Sequence, residues 1–281
     1  MTRLTLAFAG EPGSFGEDAA LDYRPGCVAK PVPTFRDVFA AVEQRRADGG
    51  VVPIENVNQG TVREAYDLLL EHTLHIVGEV EVPVSLCLAA LPGQSVDGIE
   101  RVYSHVQALA QAEPYLRSRP WTLLASVTTA GAAKEIVERG ELGAAAVLSP
   151  RAAALHGLRV LAHDIQSGVR NRTRFLVLAA ENAPDWAAPA AADRRRRTTL
   201  AFSVANEPGS LLRVLSVFAL RGINMSKLES RPGRERAWEY IFLVDLDADL
   251  CQGPSASVRR ELESVTAWIR LLGCYAATDA P

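Results

Sequence analysis

The sequence predicts an α/β protein of two domains, in which alternating strands and helices are followed by a smaller unit of order βαββαβ. Three observations predict this fold class. The chain has 281 residues, which is roughly two domains at the usual domain size. Strand-like and helix-like apolar patterns alternate from residue 4 to the helix start at residues 149–150. A segment rich in alanine and proline, residues 181–197, separates this pattern from a different one.

The first domain begins with short apolar runs that predict strands, with amphipathic helices between them. Strands are predicted over residues 4–9, 50–54 and 143–148, and helices over 17–23, 34–45 and 61–70. Thr61 and Glu64 have the spacing of a capping box, which predicts Thr61 as an N-cap. Ser149 and Pro150 predict the start of a further helix. Sheets of this kind carry helices on both faces and bind ligands at the carboxyl ends of their strands.

The second domain has its own order of elements. Strands are predicted over residues 198–205, 223–230, 237–246 and 271–276, and helices over 208–221 and 255–269. Leu211, Leu215 and Phe218 lie on one side of the first of these helices. This order is that of a ferredoxin-like domain.

Composition and charge exclude several classes of protein. The formal charge is 30 − 33 = −3, so no basic bias indicates nucleic acid as a partner. With 48% hydrophobic and 22% charged residues, the chain is not disordered as a whole. The longest apolar stretch, Val82–Leu91, is about half the length of a membrane-crossing helix. The N-terminal apolar run is interpreted as a buried strand and not as a signal peptide.

Cysteine and histidine placement favours neither disulfides nor a metal site. Four cysteines are spread along the chain: Cys27, Cys87, Cys251 and Cys274. Because they form no Cys-x-x-Cys motif, we expect reduced thiols in a cytoplasmic protein. We expect no metal, since His72 and His75 have no cysteine or acidic partner that completes a ligand set. The four arginines at 194–197 are expected to keep a linker solvated.

Two segments of the first domain place polar residues directly after a strand. The glycine loop 10–16 contains Ser14 and enters a helix, an arrangement that directs backbone N–H groups at a carboxylate or a phosphate. A tight glycine turn accounts for the loop as well. Glu55 and Asn56 end a buried strand, where polar groups without partners are costly. A cap and turn before the next helix is the alternative.

Two further segments combine hydroxyl, amide and basic side chains. Residues 103–109 include Gln107 after a predicted strand, with Ser104 as a possible N-cap and an ambiguous His105. Thr173 and Arg174 precede an apolar strand, where an arginine can clamp a carboxylate and a threonine can donate a hydrogen bond. A surface turn with solvated charges is the alternative there. In the second domain, 206–211 and 222–232 lie at strand and helix junctions; turns or a small-ligand site made of backbone explain them.

Together these segments resemble the prephenate dehydratase family over almost the whole chain. The resemblance rests on five motifs in one order: Gly10–Gly16 with Ala19 and Ala20, Pro53–Asn56 with Gly60, Ser104–Leu109, Thr173–Phe175, and Glu229–Pro232. The last resembles the phenylalanine-responsive ACT domain of this family. Three positions depart from the usual pattern. Val57 stands where a small hydroxyl residue is usual, Val106 replaces a proline, and Gly16 replaces a common serine.

The resemblance implies a two-lobed catalytic domain like a periplasmic binding protein, followed by a ferredoxin-like ACT domain. The implied boundaries are 1–182 for the catalytic domain, 183–197 for a linker and 198–281 for the ACT domain. It implies decarboxylating dehydration of prephenate to phenylpyruvate in L-phenylalanine biosynthesis, without a cofactor and with phenylalanine as allosteric effector. A cytoplasmic homodimer or homotetramer is implied, with no nucleic-acid or membrane partner. We expect the catalytic domain to fold and act without the ACT domain.

The same resemblance assigns site residues. The catalytic residues are Thr173 and Arg174, and the substrate-binding residues are Ser14, Glu55, Asn56, Gln107 and Thr129. The effector-binding residues are Gly209, Ser210, Leu211, Asn224, Met225, Glu229 and Ser230. The alternatives are an arogenate dehydratase and a non-catalytic amino-acid-binding regulator on the same fold. A nucleic-acid binder that uses the arginine run is a weaker one.

Overall fold

A computed structural model of the protein describes residues 3–168, 171–182, 184–187, 195–233, 240–252 and 257–278. The chain divides into two compact units. One comprises the residues up to Ala65 with Val80–Phe175, and the other comprises Tyr66–Glu79 with the residues from Leu176 onward. Residues 66–79 of the predicted catalytic domain therefore cluster with the C-terminal part. Over the described ranges, no helix has the length and apolar character needed to cross a bilayer.

The first sheet has six strands, and three helices connect strands of this part of the chain. The strands are β1 (Thr5–Ala9), β2 (Val28–Val32), β3 (Gly49–Asn56), β4 (Gly60–Thr61), β5 (His75–Pro83) and β11 (Arg172–Ala179). Their order is β2-β1-β3-β11-β5, with β4 paired to β3. The helices are α1 (Phe15–Tyr23), α2 (Phe35–Glu43) and α3 (Arg63–Glu71). Because β1 runs parallel to β2 and β3, their carboxyl ends lie at one edge of the sheet. This sheet with its helices is the first lobe.

The helix predicted from Thr61 is α3, which begins at Arg63, and Thr61 pairs with Glu55 in the short antiparallel ladder of β3 and β4. The role of Thr61 as a cap stays a prediction. A capping box is present at α2, where Thr34 accepts from the backbone of Asp37 and the Asp37 carboxylate accepts from the backbone of Thr34.

The second sheet forms the second lobe. Its strands are β6 (Cys87–Ala90), β7 (Arg101–Ser104), β8 (Thr122–Ala125), β9 (Ala144–Leu148) and β10 (Arg159–Ala162), in the order β10-β6-β9-β7-β8. Its helices are α4 (Val106–Gln111), α5 (Glu113–Leu116), α6 (Thr129–Arg139) and α7 (Pro150–Leu155), and Val96–Gly98 is a 3₁₀ turn. The predicted cap Ser149 is confirmed, since its Oγ accepts from Ala152 N.

Helices cover both faces of the second sheet, as the sequence predicts. Alternate residues of one strand enter different cores because strand side chains alternate between faces. Leu88 packs with Ala108 of α4 and Leu116 of α5, whereas Ala89 packs with Ile136 of α6.

The C-terminal strands form a four-stranded antiparallel sheet of order β13-β14-β12-β15. The elements are β12 (Arg196–Ser203), α8 (Ser210–Leu220), β13 (Met225–Pro232), β14 (Tyr240–Leu246), α9 (Val258–Val265) and β15 (Trp268–Ala276). The predicted βαββαβ order is confirmed. The last helix is shorter than predicted, because Thr266 is extended and Trp268 already belongs to β15. The predicted starts at 237 and 255 lie outside the described residues.

The expected reduced state is wrong for two cysteines. Cys251 and Cys274 form a disulfide with a Cα–Cα distance of 6.3 Å, while Cys27 and Cys87 are buried free thiols. The turn after β14 is held against β12, since Leu250 N and the carbonyl of Ala248 both bond to the hydroxyl of Thr198. Because β15 pairs with β12, this turn brings Cys251 beside Cys274.

The arginine run does not keep a linker solvated. The structure describes three of its four members, and each is in an ion pair: Arg195 with Asp247, Arg196 with Asp249, and Arg197 with Glu79. Arg194 lies outside the described residues. Since β12 begins at Arg196, the end of the run belongs to the sheet and not to a linker.

Candidate functional site

The end of β3 lies against the start of β11, and Asn56 connects the two. Its Nδ2 donates to Thr173 Oγ1 at 2.9 Å and to Asn171 Oδ1 at 2.8 Å. Its Oδ1 accepts from the backbone N–H groups of Asn58 and Gln59, at 3.0 and 3.1 Å. With 6% of its surface exposed, Asn56 is buried and satisfied on both sides of its amide. The predicted Asn56 and Thr173 are therefore in direct contact.

This contact determines what the Thr173 hydroxyl can do. A hydroxyl offers one hydrogen to donate and two lone pairs to accept. Because Thr173 Oγ1 already accepts from Asn56, its hydrogen is directed to another acceptor. The arrangement suits a hydroxyl that donates to a group bound beside β11.

The predicted Glu55 and Arg174 also form a pair. Arg174 Nη2 donates to Glu55 Oε2 at 3.3 Å, and the arginine side chain is 12% exposed while the glutamate is 39% exposed. A planar guanidinium held in this way presents a fork that matches a carboxylate. Glu55 thus orients the arginine at the end of β3.

Ser14 is the N-cap of α1 without making the usual cap hydrogen bond. Its Oγ is buried, and no hydrogen-bond partner for it lies within the described residues. An unpaired buried hydroxyl costs about 1–3 kcal/mol, so we expect a water or a bound ligand to pair with it. Since the adjoining helix N-terminus presents backbone N–H groups, the partner is most simply an anion.

The loop that carries Ser14 is anchored to the second lobe. Ser149 Oγ donates to the carbonyl of Gly13 at 2.9 Å, and Arg151 pairs with Glu17 at 3.2 Å. Gly13 follows β1 and Ser149 follows β9, so the carboxyl edges of the two sheets meet at this point. A cleft between these edges is where the fold class places a ligand.

The tight approach at Gly13 yields the first prediction. Gly13 has a φ of +87°, and a Cβ there would lie 2.8 Å from Ala152 Cα. We expect Gly13→Ala to raise the KM for substrate at least severalfold and to lower Tm, because the loop must move away from α7. Gly93→Ala is the matched control, since Gly93 has a φ of +88° and open space around it. Its backbone strain of about 1–3 kcal/mol lowers Tm but leaves KM unchanged. Equal KM values for the two variants would contradict the prediction.

Gln107 and Thr129 lie in the second lobe, at the N-termini of α4 and α6. These helices follow β7 and β8, which are parallel neighbours, so both residues lie at the same carboxyl edge. Gln107 is exposed, and Thr129 follows the N-cap Thr128, whose hydroxyl accepts from Gly131 N. Their roles toward a ligand stay a prediction.

His105, and not Ser104, is the N-cap of α4. Ser104 is buried and donates to the carbonyl of Val147, whereas His105 Nδ1 accepts from Gln107 N at 3.3 Å. The accepting nitrogen must be unprotonated, and burial lowers the pKa of His105 below its ordinary 6.5.

The second prediction follows from this cap. A lowered pKa in the folded state means that the unfolded chain binds the proton more readily, so stability is lost as the pH falls from 6.5 through the folded value. We expect Tm to fall more steeply below pH 6.5 in the wild type than in His105→Asn, which keeps a cap without a titrating group. The lowered pKa of His75 contributes equally to both proteins. Parallel Tm profiles would contradict this role of His105.

Of the predicted effector residues, Gly209, Ser210 and Leu211 start α8. Gly209 is its N-cap with a φ of +83°, and Ser210 is buried with its Oγ accepting from Arg213. Leu211 packs against the core of this sheet, as Met225 does from β13. Part of each of these two side chains therefore lies in the core and is not available to a ligand.

The other three predicted effector residues are separated by the strand geometry. Asn224 donates to the Asp247 carboxylate just before β13. Glu229 and Ser230 are neighbours in β13, so their side chains lie on opposite faces of the sheet. Glu229 shares its face with Arg231, which donates to Asp67 of α3. The structure thus places Glu229 on the other face from Ser230, and effector binding by this set stays a prediction.

One cluster of possible metal ligands occurs within the described ranges. Side-chain atoms of Asp249, Cys251 and Cys274 lie within 4.8 Å of one another. Two of the three are joined as a disulfide, which withdraws their sulfur atoms from coordination. This cluster therefore provides no metal site in the oxidised protein.

Two contributors to the site escaped the sequence reasoning. Asn171 accepts from Asn56 and donates to Gln111 Oε1 at 2.9 Å, and neither residue was predicted as part of the site. Asn171 stands two positions before Thr173, but a lone asparagine there has the same local signal as a turn residue.

Comparisons with known proteins bear on this arrangement. The family model described as prephenate dehydratase matches residues 6–183, and the model of the ACT domain matches residues 198–250. Arogenate dehydratase/prephenate dehydratase 1, chloroplastic, of Arabidopsis thaliana is 38% identical over 288 residues, which cover 98% of this chain and 72% of that protein.

Two solved structures are similar over nearly the whole chain. A protein described as a novel type of quorum quenching acylase has a TM-score of 0.87 and 32% identity, with 98% of both chains covered. A prephenate dehydratase from Arthrobacter aurescens in complex with L-Phe has a TM-score of 0.85 and 29% identity, with 97% of this chain and 90% of that one covered.

Proposed function

The chain belongs to the prephenate dehydratase family, and we propose that it converts prephenate to phenylpyruvate by decarboxylating dehydration. The observation that carries the proposal is the contact of Asn56 with Thr173, next to the pair of Glu55 and Arg174. The contact supplies an oriented hydroxyl donor near the start of β11, and the ion pair supplies an oriented cation at the next position of the same strand, on its opposite face.

The reaction makes few covalent demands on the protein. The bond from the ring to its carboxylate breaks and releases carbon dioxide, while its electron pair enters the ring. The ring C–O bond breaks with its electron pair on the oxygen, and the departing hydroxide takes up a proton from solvent to become water. Thr173 donates a hydrogen bond to this leaving oxygen, because its own oxygen is occupied by Asn56. A threonine hydroxyl is a weak acid, so stabilisation of the developing charge is its main contribution.

The two carboxylates of prephenate need cationic and N–H partners. Arg174 holds the carboxylate of the pyruvyl side chain through its guanidinium fork. The hydroxyl of Ser14 and the backbone N–H groups at the N-terminus of α1 donate hydrogen bonds to further negatively charged oxygen atoms of the substrate. Gln107 and Thr129, at the opposite carboxyl edge, complete the orientation of the substrate.

The departures from the usual family pattern alter the rim of the site. Val57 is 68% exposed and Val106 is 57% exposed, so neither forms part of the core. At Gly16 an added Cβ would lie 3.4 Å from Phe8, which is an ordinary van der Waals contact. These positions affect the fit of the substrate and not the pairs at β3 and β11.

Arogenate is the second candidate substrate, and Glu55 is the observation that favours it. Arogenate carries an ammonium group in place of the keto group of prephenate. The Glu55 carboxylate beside Arg174 is 39% exposed and offers an acceptor for such an ammonium. The Arabidopsis relative is named for both activities.

Incubation of the purified chain with prephenate and, separately, with arogenate tests the proposal. Phenylpyruvate from prephenate supports it, and phenylalanine from arogenate alone would assign the second substrate. No product from either substrate would overturn both. A third incubation uses an N-acylated amine as the substrate, because a solved relative is described as an acylase.

The same proposal covers how the enzyme is regulated and how its subunits assemble. We infer that the chain is divided at 1–182, 183–197 and 198–281, with the last two residues of the middle segment forming the start of β12, and that phenylalanine binds at the ACT domain as an effector. The support is the matched ACT model and the relative solved in complex with L-Phe. An effector acts only through different affinities for two states of the enzyme. A homodimer or homotetramer in the cytoplasm is part of this proposal.

A further inference from the structure

Asn171 and Gln111 form a chain of amides behind Thr173 that no part of the proposed mechanism uses. Asn171 Oδ1 accepts from Asn56, and Asn171 Nδ2 donates to Gln111 Oε1 at 2.9 Å. Asn171 is 6% exposed, so both contacts lie in a buried setting. We propose that Asn171 and Gln111 are positioning residues, which set the orientation of Asn56 and through it the Thr173 hydroxyl. The inference rests on the proposed dehydratase function.

The direction of this chain is determined by the backbone. The N–H groups of Asn58 and Gln59 can only donate, so the Asn56 atom that faces them is its oxygen. The Asn56 nitrogen then faces Asn171, whose nearest atom must be an acceptor. Asn171 therefore turns its own nitrogen to Gln111, and every amide has one permitted orientation.

The chain matters because Asn56 has two side-chain hydrogens and three acceptors within 3.1 Å. The acceptors are Asn171 Oδ1, Thr173 Oγ1 and the carbonyl of Arg172. Asn171 takes up one hydrogen and so directs the other toward Thr173. If Gln111 is lost, the buried Asn171 nitrogen has lost its acceptor, and its amide reorients to find another.

Gln111 also links the second lobe to this chain. It is the last residue of α4, the helix that begins beside Gln107, and its carbonyl accepts from Ser167 N and Oγ. Asn171 directly precedes β11. The Thr173 hydroxyl, which donates to the leaving oxygen in the proposed mechanism, is therefore oriented from both lobes.

The test compares steady-state kinetics of four variants with the wild type. We expect Gln111→Leu and Asn171→Ala each to lower kcat about tenfold, with KM within about twofold, since neither side chain touches substrate. Gln111→Glu keeps an acceptor for Asn171 and should recover kcat to within about twofold. The double variant should be no slower than Asn171→Ala, because Gln111 acts only through Asn171.

Gln94→Leu is the matched control. Gln94 is a half-buried glutamine of the same lobe, and its Oε1 accepts one hydrogen bond from Gly143 N. It should match the wild type in kcat. A kcat of Gln111→Leu equal to that of Gln94→Leu, a rise in KM at constant kcat, or additive losses in the double variant would each overturn the proposal.

A second readout does not need turnover. The side-chain amide hydrogens of Asn56, followed by ¹⁵N NMR, should exchange with solvent faster in Gln111→Leu than in the wild type and Gln94→Leu. Unchanged exchange would overturn the positioning role even if neither substrate is converted. A wild type without dehydratase activity would instead overturn the proposed function, so the two failures are distinguishable.

Discussion

Thr173→Ala is expected to lower kcat by about two orders of magnitude or more, while KM changes much less. This is the usual scale for a group that donates to a departing atom. The hydroxyl oxygen accepts from Asn56, so in the proposed mechanism the hydrogen that the variant lacks is the one donated to the leaving hydroxyl of the substrate. The proposal assigns substrate binding to Arg174 and the N-terminus of α1, which the change leaves in place.

Thr173→Ser is the matched control for this loss. It keeps the hydroxyl and the acceptor for Asn56 but has more rotational freedom, so kcat should recover to within about tenfold of the wild type. Both variants are to be compared under saturating substrate by initial rates of product formation. A kcat of Thr173→Ala within about threefold of the wild type would remove Thr173 from the mechanism.

Arg197→Met is expected to lower the free energy of unfolding by about 3 kcal/mol or more, the scale for breaking a buried ion pair. Arg197 Nη1 donates to both oxygens of Glu79 at 2.8 Å, and the Glu79 side chain is fully buried. The variant leaves a buried carboxylate that has lost two charge-assisted hydrogen bonds. Urea denaturation of both proteins at neutral pH measures the difference.

Two further variants distinguish the buried pair from a general effect of charge removal. Arg259→Met breaks an exposed pair with Glu263 at 3.3 Å and should cost less than about 0.5 kcal/mol. Combining Arg197→Met with Glu79→Gln removes both charges and should recover part of the loss. A loss of under about 1 kcal/mol in Arg197→Met would show that Glu79 does not depend on this partner.

The same pair argues against a separately folding catalytic domain. Glu79 also accepts from Thr278 N at 2.8 Å, so a chain cut near residue 190 loses both of these partners of a buried carboxylate. Gly273 lies so close to the β5 backbone that a Cβ there would be 2.1 Å from the Ile76 carbonyl. These contacts predict that a chain cut near residue 190 loses stability, in contrast to the expectation from the domain boundaries alone.

The order of strands and helices could be predicted because each element carries its own apolar period. The helix predicted over 34–45 is Phe35–Glu43, and the strand predicted over 143–148 is Ala144–Leu148. Helix starts were less predictable, as Ser104 shows. Its hydroxyl type suits a cap, but it donates to the carbonyl of Val147, a partner that is not visible in the local pattern.

By itself the sequence determined the element order and the identity of Asn56, Thr173 and Arg174 as candidates, because strand ends and polar residue types are local features. Only the tertiary structure decided which atom of Asn56 faces Thr173, that Asn171 leads on to Gln111, and that Arg197 is paired with Glu79. The residues of these contacts are 117, 60 and 118 positions apart in the chain. A local pattern shows that a polar group needs a partner, but the distant partner is selected by the packing of the folded chain.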